Sequence, residues 1–381
     1  MRIGLIGCGN IASQMHAPTL QGTPGVEVAG IADVTPARLR LLRDMLGLTE
    51  EACHADARDL LARAEIEAVV VTVPQRFRRN LVMAAIAAGK HVLCEKPIAF
   101  APREAAEMIA AARAAGLRLA MVHNYIFFPE ILWLKDLILS GRLGEVRLLT
   151  QNYLSVEDRP AAAEYRPDWR HHPELSGGGV LMDMLHPVYL AEWLVGSPAR
   201  SVSAAVRPDP SRSGAVEAFA LSRLEFDRGY GLINMAWGEG PGGIEVAGTA
   251  GRALVFYENF GTCPFMPLDR AYLVTAAGVE TPDLKRPHDY AGFFCETYRP
   301  LVEDFMASVR EGRQPVAPAE AGQRALEIVL GSYESALLER VVRLPLAESD
   351  PVFASGLDGL KSLPFDADHP LVRSGLYGLR A

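Results

Sequence analysis

The chain lacks the sequence features of several protein classes. Its five cysteines are scattered and contain no C-x-x-C pair, so neither a disulfide framework nor a structural zinc site is predicted. No H-x-x-x-H pair or acidic cluster predicts another metal. No apolar run reaches the roughly 20 residues that span a bilayer, and the first methionine leads into a predicted strand rather than a signal peptide. We therefore expect a cytoplasmic protein with no membrane segment.

Positive charge is also scarce. The 381 residues include 38 Lys and Arg against 46 Asp and Glu, and the net charge of −8 comes without a basic block. This balance argues against nucleic acid or an anionic membrane surface as the main partner. The 49% apolar and 22% charged residues suit a globular protein of about two domains.

The start of the chain carries a glycine-rich turn. The apolar run Ile3–Ile6 predicts a strand, and the pattern G-x-G-x-x-A follows it before a predicted helix. Gly7 permits a sharp exit from the strand, Gly9 lets the backbone approach a pyrophosphate, and Ala12 lets the helix lie close to the sheet. The N–H groups of such a turn face phosphates. The predicted cofactor-binding residues of this turn are Gly7, Gly9, Asn10, Ile11 and Ala12.

A second apolar run, Val26–Ala32, ends on Asp33, which lies 21 residues after Ala12. A carboxylate at this place accepts hydrogen bonds from the adenosine ribose hydroxyls and repels a 2′-phosphate. NAD is therefore the predicted cofactor, with NADP less favoured. A G-x-G-x-x-A pattern also occurs by chance in glycine-rich turns, but its place between two strand-like runs, with the acid at this distance, favours a dinucleotide site.

The pattern of elements predicts two kinds of domain. Strands and helices alternate up to residue 122, which is typical of an α/β Rossmann fold with a doubly wound parallel sheet. After it the strands alternate apolar with polar residues, which predicts an α+β domain with a large, open, mostly antiparallel sheet. We expect domains at residues 1–122 and 123–348 and a C-terminal arm at 349–381. One uncovered sheet face predicts a homodimer or homotetramer.

Several polar residues follow strands of the first predicted sheet. Lys96 comes directly after a strand, at the sheet edge where ligands bind, and could stabilise negative charge on a substrate oxygen. The alternative is a solvated lysine paired with Glu95. Thr72 and Pro74 follow the preceding strand and, with Glu95 and Lys96, are predicted to border the cofactor.

A carboxylate and an imidazole lie within the segment Gly177–Gly196, which we expect to be a helix entered through three glycines. Asp183 and His186 are three residues apart and would share a helical face. The carboxylate could fix the imidazole tautomer, and the imidazole could act as a general base for an alcohol. The alternative is an ordinary structural histidine. The glycines favour a site because they permit close approach of the backbone to a ligand.

Four segments together make the chain similar to the glucose–fructose oxidoreductase, inositol dehydrogenase and rhizopine catabolism (Gfo/Idh/MocA) family. They are Gly7–Ala12, Ala88–Pro97, Gly177–Gly179 with Asp183 and His186, and Val246–Gly251. The resemblance implies a Rossmann domain, an open-faced sheet domain and an NAD(P)-dependent dehydrogenase acting on a sugar or cyclitol. It also implies that Lys96, Asp183 and His186 line the substrate, with His186 as the acid and base.

The chain departs from the family pattern at two places. The family usually separates the aspartate and histidine by four residues, whereas Asp183 and His186 are three apart. The family commonly has a histidine four residues after Pro74, where this chain has Arg78. Arg78 could meet a phosphate or carboxylate of the ligand, and a surface arginine is the alternative.

Further substrate contacts are predicted at two places. His123, Asn124 and Tyr125 fall where the chain leaves the first predicted domain, and hinge packing is the alternative for them. Trp169 and Arg170 precede the three glycines and could reach a sugar, although Trp169 could instead belong to the core.

These residues predict reversible hydride transfer between the nicotinamide and a hydroxyl-bearing carbon, and the resemblance implies that this carbon belongs to a sugar, cyclitol or sugar derivative. Two other functions suit the same fold. One is an NAD-dependent glycoside-cleaving enzyme that works by oxidation and elimination. The other is a non-catalytic regulator that binds NAD and a sugar, although Lys96, Asp183 and His186 argue against it.

Overall fold

The computed structural model describes residues 1–156, 169–208, 215–238, 240, 242–257, 268–284 and 290–379. The strands in these residues, in chain order, are β1 Arg2–Ile6, β2 Glu27–Ala32, β3 Cys53–His54, β4 Ala68–Val71, β5 His91–Cys94, β6 Leu119–Met121, β7 Val146–Val156, β8 Ser201–Pro208, β9 Glu217–Glu225, β10 Tyr230–Trp237, β11 Gly242–Gly248, β12 Gly251–Tyr257, β13 Leu268–Thr275, β14 Gly278–Glu280 and β15 Val342–Arg343. The α-helices are α1 Ala17–Gly22, α2 Pro36–Leu46, α3 Ala57–Leu61, α4 Gln75–Ala87, α5 Pro102–Ala114, α6 Pro129–Leu139, α7 Pro173–Ser176, α8 Val180–Asp183, α9 His186–Val195, α10 Tyr290–Glu311, α11 Ala319–Leu338, α12 Pro351–Ser355 and α13 Pro370–Arg373.

The described chain forms two compact units. The first comprises Met1–Ala99, Glu104–Phe127 and Arg286–Gln323, and the second comprises Phe100–Arg103, Phe128–Lys285 and Arg324–Ala381. Among the helices of the described residues, none combines the length and the apolar character that a membrane crossing needs.

The first unit contains a six-stranded parallel sheet in the order β3-β2-β1-β4-β5-β6. This order, with helices between successive strands, is that of the Rossmann fold, so the fold predicted from the alternating pattern is confirmed. The apolar run of β4 is fully buried, as expected for a parallel strand covered on both faces. In such a sheet ligands bind beyond the carboxyl ends of the strands.

A late part of the chain completes this unit. The Met121 backbone N–H donates to the Ala317 carbonyl at 2.8 Å, and the Asn124 side-chain amide donates to the Thr297 hydroxyl at 3.3 Å. Thr297 belongs to α10, which follows the second sheet in sequence. The periodicity of a helix predicts its existence but not the unit that it joins.

The second unit contains a nine-stranded sheet in the order β14-β13-β12-β11-β7-β10-β9-β8-β15. Its pairs are antiparallel except for β7 with β10. The predicted mostly antiparallel sheet is therefore confirmed. The burial of β10 alternates residue by residue, as expected for a sheet covered on one face.

The segment predicted as one helix, Gly177–Gly196, is broken. Helix α8 ends at Asp183, and α9 begins at His186. Pro187 explains the break, because proline lacks the N–H of a helix interior and its ring clashes with the preceding turn, so it is tolerated only in a first turn. The expectation that Asp183 and His186 share one helical face is therefore wrong.

The last described residues, 351–379, pack into the second unit. Leu360 and Leu376 are fully buried, and the Tyr377 backbone N–H donates to the Ala215 carbonyl at 2.8 Å. The segment therefore supplies part of the interior of this unit.

Candidate functional site

The glycine turn after β1 has the predicted shape. Gly7 has a φ of +98°, and a Cβ at this position would lie 2.8 Å from the Thr72 hydroxyl oxygen, so only glycine fits. A Cβ on Gly9 would meet no atom of the described residues within 4 Å. Packing therefore does not require glycine at this position, and the space beside its backbone is open to a ligand. Ala12 is fully buried, as expected where a helix lies close to a sheet.

Asp33 stands at the end of β2 and organises the same turn. Its carboxylate accepts hydrogen bonds from the Cys8 N–H at 2.6 Å and the Thr35 N–H at 2.7 Å. The side chain is only partly buried, and a carboxylate has about four acceptor positions. Asp33 can therefore accept further bonds from the hydroxyls of a ribose.

Arg38 also supports the turn, although sequence reasoning missed it. Its Nε donates to the Cys8 carbonyl at 2.7 Å, and its guanidinium donates to the Ser13 hydroxyl at 3.1 Å. The sequence shows an arginine early in the helix after Asp33, but it does not show that the side chain points toward the glycine turn.

Arg78 is buried and hydrogen-bonds to the backbone after two strands. It is only 4% exposed, so the surface alternative for this residue is wrong. Its Nε donates to the Val73 carbonyl at 2.8 Å, and its guanidinium also donates to the Pro97 carbonyl. These two carbonyls follow β4 and β5. Arg78 therefore fixes the backbone beside Lys96.

The Glu95 carboxylate is buried and connects three elements. Its Oε1 lies 2.9 Å from Nε2 of His16, and its Oε2 accepts from the Lys96 backbone N–H at 3.0 Å. The Tyr298 ring lies nearly perpendicular to the His16 ring, with the ring centres 5.0 Å apart. Burial raises the pKa of Glu95, but the hydrogen bond to His16 and the charges of His16, Lys96 and Arg78 outweigh burial and lower it. Glu95 therefore stays ionised and holds the backbone of Lys96.

His123 lies in the electrostatic field of Lys96. Burial, and then the positive charge of Lys96, lower the pKa of His123 to about 3. His123 is thus a neutral imidazole. Its neighbour Asn124 is 1% exposed and Tyr125 is 4% exposed. A substrate contact through Asn124 or Tyr125 stays a prediction.

Three sequence-predicted residues meet in the second unit. Arg170 Nε donates to Asp183 Oδ1 at 2.9 Å, and the Arg170 guanidinium lies 4.5 Å from the centre of the Trp169 ring. Asp183 is 9% exposed. A carboxylate and a guanidinium together offer acceptors and donors to a polyol.

His186 is held by a residue that sequence reasoning missed. Its Nδ1 lies 2.7 Å from the Tyr189 hydroxyl oxygen, and His186 is 4% exposed. The spacing of three residues on a helix was a usable signal for this pair. A contact at Nδ1 fixes the orientation of the imidazole ring.

Two of the three glycines before α8, Gly178 and Gly179, are required by packing. A Cβ on Gly178 would overlap the Tyr333 hydroxyl, and a Cβ on Gly179 would overlap the Glu217 backbone carbonyl. Packing therefore accounts for glycine at 178 and 179, while the expectation that this segment lets its backbone approach a ligand stays a prediction. No local signal in the sequence linked them to Glu217 or Tyr333. Among the described residues, no group of three His, Cys, Asp or Glu side chains is placed to hold a metal ion.

Comparisons with known proteins agree with this architecture. Residues 1–123 match the family model described as an oxidoreductase family with an NAD-binding Rossmann fold. Residues 131–254 match the model of the GFO/IDH/MocA C-terminal domain.

Individual proteins resemble most of the chain. A dTDP-3,4-didehydro-2,6-dideoxy-alpha-D-glucose 3-reductase from Streptomyces violaceoruber is 31% identical over 289 residues, which are 75% of this chain and 78% of that protein. A myo-inositol 2-dehydrogenase from Thermotoga maritima is 28% identical over 357 residues, with 90% of this chain and 98% of that protein covered. The structure of a levoglucosan dehydrogenase in complex with NADH has a TM-score of 0.76 at 22% identity, over 91% of this chain and 100% of that one.

Proposed function

The chain belongs to the Gfo/Idh/MocA family of oxidoreductases, and on this premise we propose that it is an NAD-dependent dehydrogenase of a sugar, cyclitol or sugar derivative. The reaction is reversible hydride transfer between the nicotinamide and a hydroxyl-bearing carbon. The relatives named above act, by their names, on a nucleotide-linked sugar and on a cyclitol, which supports this substrate class.

The turn between β1 and α1 carries the proposal for the cofactor. Gly9 leaves its backbone open, and Asp33 presents a partly exposed carboxylate at the end of β2. These features suit a pyrophosphate and a ribose with free hydroxyls. The negative charge of Asp33 disfavours a 2′-phosphate, so we assign NAD rather than NADP.

Lys96 and His186 are assigned to the proton chemistry. The Lys96 ammonium donates to the substrate oxygen and stabilises negative charge that develops there. Nε2 of His186 takes the hydroxyl proton, while Tyr189 orients the ring through Nδ1. Asp183 and Arg170 bind neighbouring hydroxyls, and Trp169 offers a ring face for a sugar to stack on. Bound NAD supplies the hydride acceptor.

An assay of polyols and aldoses, followed at the NADH absorbance with NAD and NADP in parallel, tests this proposal. We expect turnover with at least one member and preference for NAD. Replacing the assigned general base, His186→Ala, is expected to lower kcat about 10²- to 10⁴-fold. Lys96→Ala is expected to lower kcat about 10²- to 10³-fold. The matched controls are His172→Ala and Lys361→Ala, because both side chains are half exposed and each pairs with a surface carboxylate, Glu174 and Asp358 respectively. Near-normal turnover of His186→Ala or Lys96→Ala would refute the assigned roles.

The same assay, extended to glycosides and with the products analysed directly, separates the two other functions of this fold. Cleavage of a glycoside without net NADH would indicate oxidation and elimination. NAD binding without turnover of any polyol, aldose or glycoside would indicate a regulator.

We also propose that the open face of the nine-stranded sheet forms a homo-oligomer contact. Phe219, Leu221, Tyr230 and Phe256 lie on this face by register and are 37–47% exposed. Exposed apolar side chains on one face of a sheet are typical of a protein–protein contact.

A further inference from the structure

A buried carboxylate with four donors lies beside the segment that carries Asp183. Glu217, the first residue of β9, has no exposed surface. Its Oε1 accepts from the Leu181 N–H and the Tyr333 hydroxyl, both at 2.9 Å. Its Oε2 accepts from the Gly179 N–H at 2.7 Å and the Tyr377 hydroxyl at 2.9 Å. Each oxygen thus receives one backbone donor and one phenol donor.

Burying the Glu217 carboxylate costs desolvation free energy. All four donors are neutral, and burial outweighs their hydrogen bonds and raises the pKa of Glu217 to about 7. An apolar side chain would avoid that desolvation cost. The cost indicates that the carboxylate holds its neighbours in one geometry.

The held neighbours are the backbone groups at the start of α8. This helix has four residues, which is too short to be stable through its own hydrogen bonds. The two amides bound by Glu217 lie on either side of Val180, and Asp183 is the last residue of the helix. The backbone that leads to Asp183 is therefore bound by a residue 34 positions away from Asp183 in sequence.

The two phenols connect this carboxylate to distant parts of the second unit. Tyr333 lies on α11, and Tyr377 lies in the C-terminal segment. Their ring centres are 4.8 Å apart. The glycines at 178 and 179 make room for Tyr333 and Glu217, so the three-glycine motif and the carboxylate are parts of one arrangement.

We propose that Glu217 is a positioning residue for substrate binding, which fixes the backbone of Gly179–Asp183 and thereby aims the Asp183 carboxylate, with Tyr333 and Tyr377 holding Glu217 in place. The proposal rests on the proposed function only in assigning Asp183 to the substrate. It adds a residue that touches neither substrate nor cofactor.

The test compares Glu217→Gln and Tyr377→Phe with a matched control. The control is Tyr257→Phe, because Tyr257 also donates a buried 2.9 Å hydrogen bond to a buried carboxylate, Glu130, in the same unit. Amide hydrogen exchange is measured on peptides covering residues 177–185, and kcat and KM are measured per NAD-binding site, so that loss of folded protein does not enter.

In Glu217→Gln the amide nitrogen cannot accept a hydrogen bond, so one backbone N–H loses its acceptor. We expect exchange in 177–185 to accelerate about 10-fold and KM for the substrate to rise by a similar factor, with the NAD dissociation constant unchanged. Tyr377→Phe keeps the carboxylate, and we expect the exchange rate in 177–185 and KM each to rise about two- to fivefold. Tyr257→Phe is expected to change neither measurement.

Unchanged exchange in Glu217→Gln overturns the claim that Glu217 holds the segment. Faster exchange with an unchanged KM overturns its role in substrate binding. If the wild-type protein turns over no substrate, the proposed function fails, while the exchange measurement still decides whether Glu217 positions Gly179–Asp183.

Discussion

Gly7 and Gly179 are glycines for steric reasons, whereas Gly9 is not. A side chain on either of the first two would collide with neighbouring atoms, whereas a Cβ on Gly9 meets no described atom within 4 Å. The same residue type therefore has two physical meanings in this chain. At Gly7 and Gly179 it permits packing, and at Gly9 it leaves space beside a backbone that we assign to the cofactor.

Asp33 is the residue on which cofactor choice depends in our proposal. We expect Asp33→Asn to weaken NAD binding about 10-fold, because hydrogen bonds to a charged acceptor contribute about 1.5–3 kcal/mol. NADP binding should weaken less or improve, because the charge that repels the 2′-phosphate is lost. Fluorescence titration with both cofactors measures this.

The control for Asp33 is Asp44→Asn on α2. The Asp44 side chain is 67% exposed and paired with Arg43 at the surface, so we expect no change in either dissociation constant. An unaltered ratio of NAD to NADP affinity in Asp33→Asn would contradict the assigned role.

Residue roles set by local sequence were predictable, and roles set by distant contacts were not. Gly7 and Asp33 were found because the turn and the adjacent strand lie within the first 33 residues. The contact between His16 and Glu95 joins residues 79 positions apart. Glu217 meets its four donors only after β9, α8, α11 and the C-terminal segment have packed together. Spacing in a single sequence contains no signal for such contacts.

At the scale of elements, one proline decides the geometry of the substrate segment. Pro187 ends the helical pattern and starts α9 at His186. The break could have been predicted from the sequence, because proline in a helix interior is disfavoured by about 3 kcal/mol. The pairing of Asp183 with Arg170 depends on tertiary packing, whereas the contact of His186 with Tyr189 follows from their spacing of three residues on α9.

A glycine-to-alanine substitution is expected to lower stability in one glycine-rich segment and NAD affinity in the other. Gly179→Ala should destabilise the protein by about 2 kcal/mol or more, because the added Cβ overlaps the Glu217 carbonyl. Gly9→Ala should change the free energy of unfolding by less than about 0.5 kcal/mol, while NAD binding weakens about 10-fold or more because the Cβ occupies the space assigned to the pyrophosphate.

Denaturant unfolding and NAD titration of both variants check this pair. Each variant is the control for the other. If Gly9→Ala bound NAD normally, the turn would not approach the cofactor. If Gly179→Ala were as stable as wild type, the close contact with Glu217 would not constrain the segment.

The sheets show a similar division between what was predictable and what was not. Alternation of apolar and polar residues predicted β9, β10 and β12, because buried and more exposed residues alternate along each of these strands. The parallel pairing of β7 with β10 was not predictable, because the burial pattern of a strand does not record the direction of its neighbour.

At the scale of the whole molecule, the two compact units carry different halves of the proposed chemistry. The first holds the glycine turn, Asp33 and Lys96, and the second holds Arg170, Asp183 and His186. The second unit also offers the open sheet face that we assign to self-association.

Charge placed on that face is expected to dissociate the oligomer. We expect Leu221→Arg and Phe256→Arg to shift the mass from a dimer or tetramer to a monomer, because a buried unpaired charge costs several kcal/mol at an interface. The control is Leu139→Arg, which replaces a 73% exposed leucine at the end of α6. Light scattering after gel filtration measures the mass, and an oligomer that survives both substitutions would place the contact elsewhere.

The transfer of deuterium tests hydride transfer most directly. A substrate found in the polyol and aldose assay is prepared with deuterium on the carbon that bears the reacting hydroxyl, and the NADH formed is analysed by mass spectrometry. Our account predicts NADH that carries one deuterium, formed by the wild-type protein and at least about 10²-fold more slowly by His186→Ala. NADH without deuterium, or product formed without net NADH, would contradict direct hydride transfer from that carbon as the net reaction.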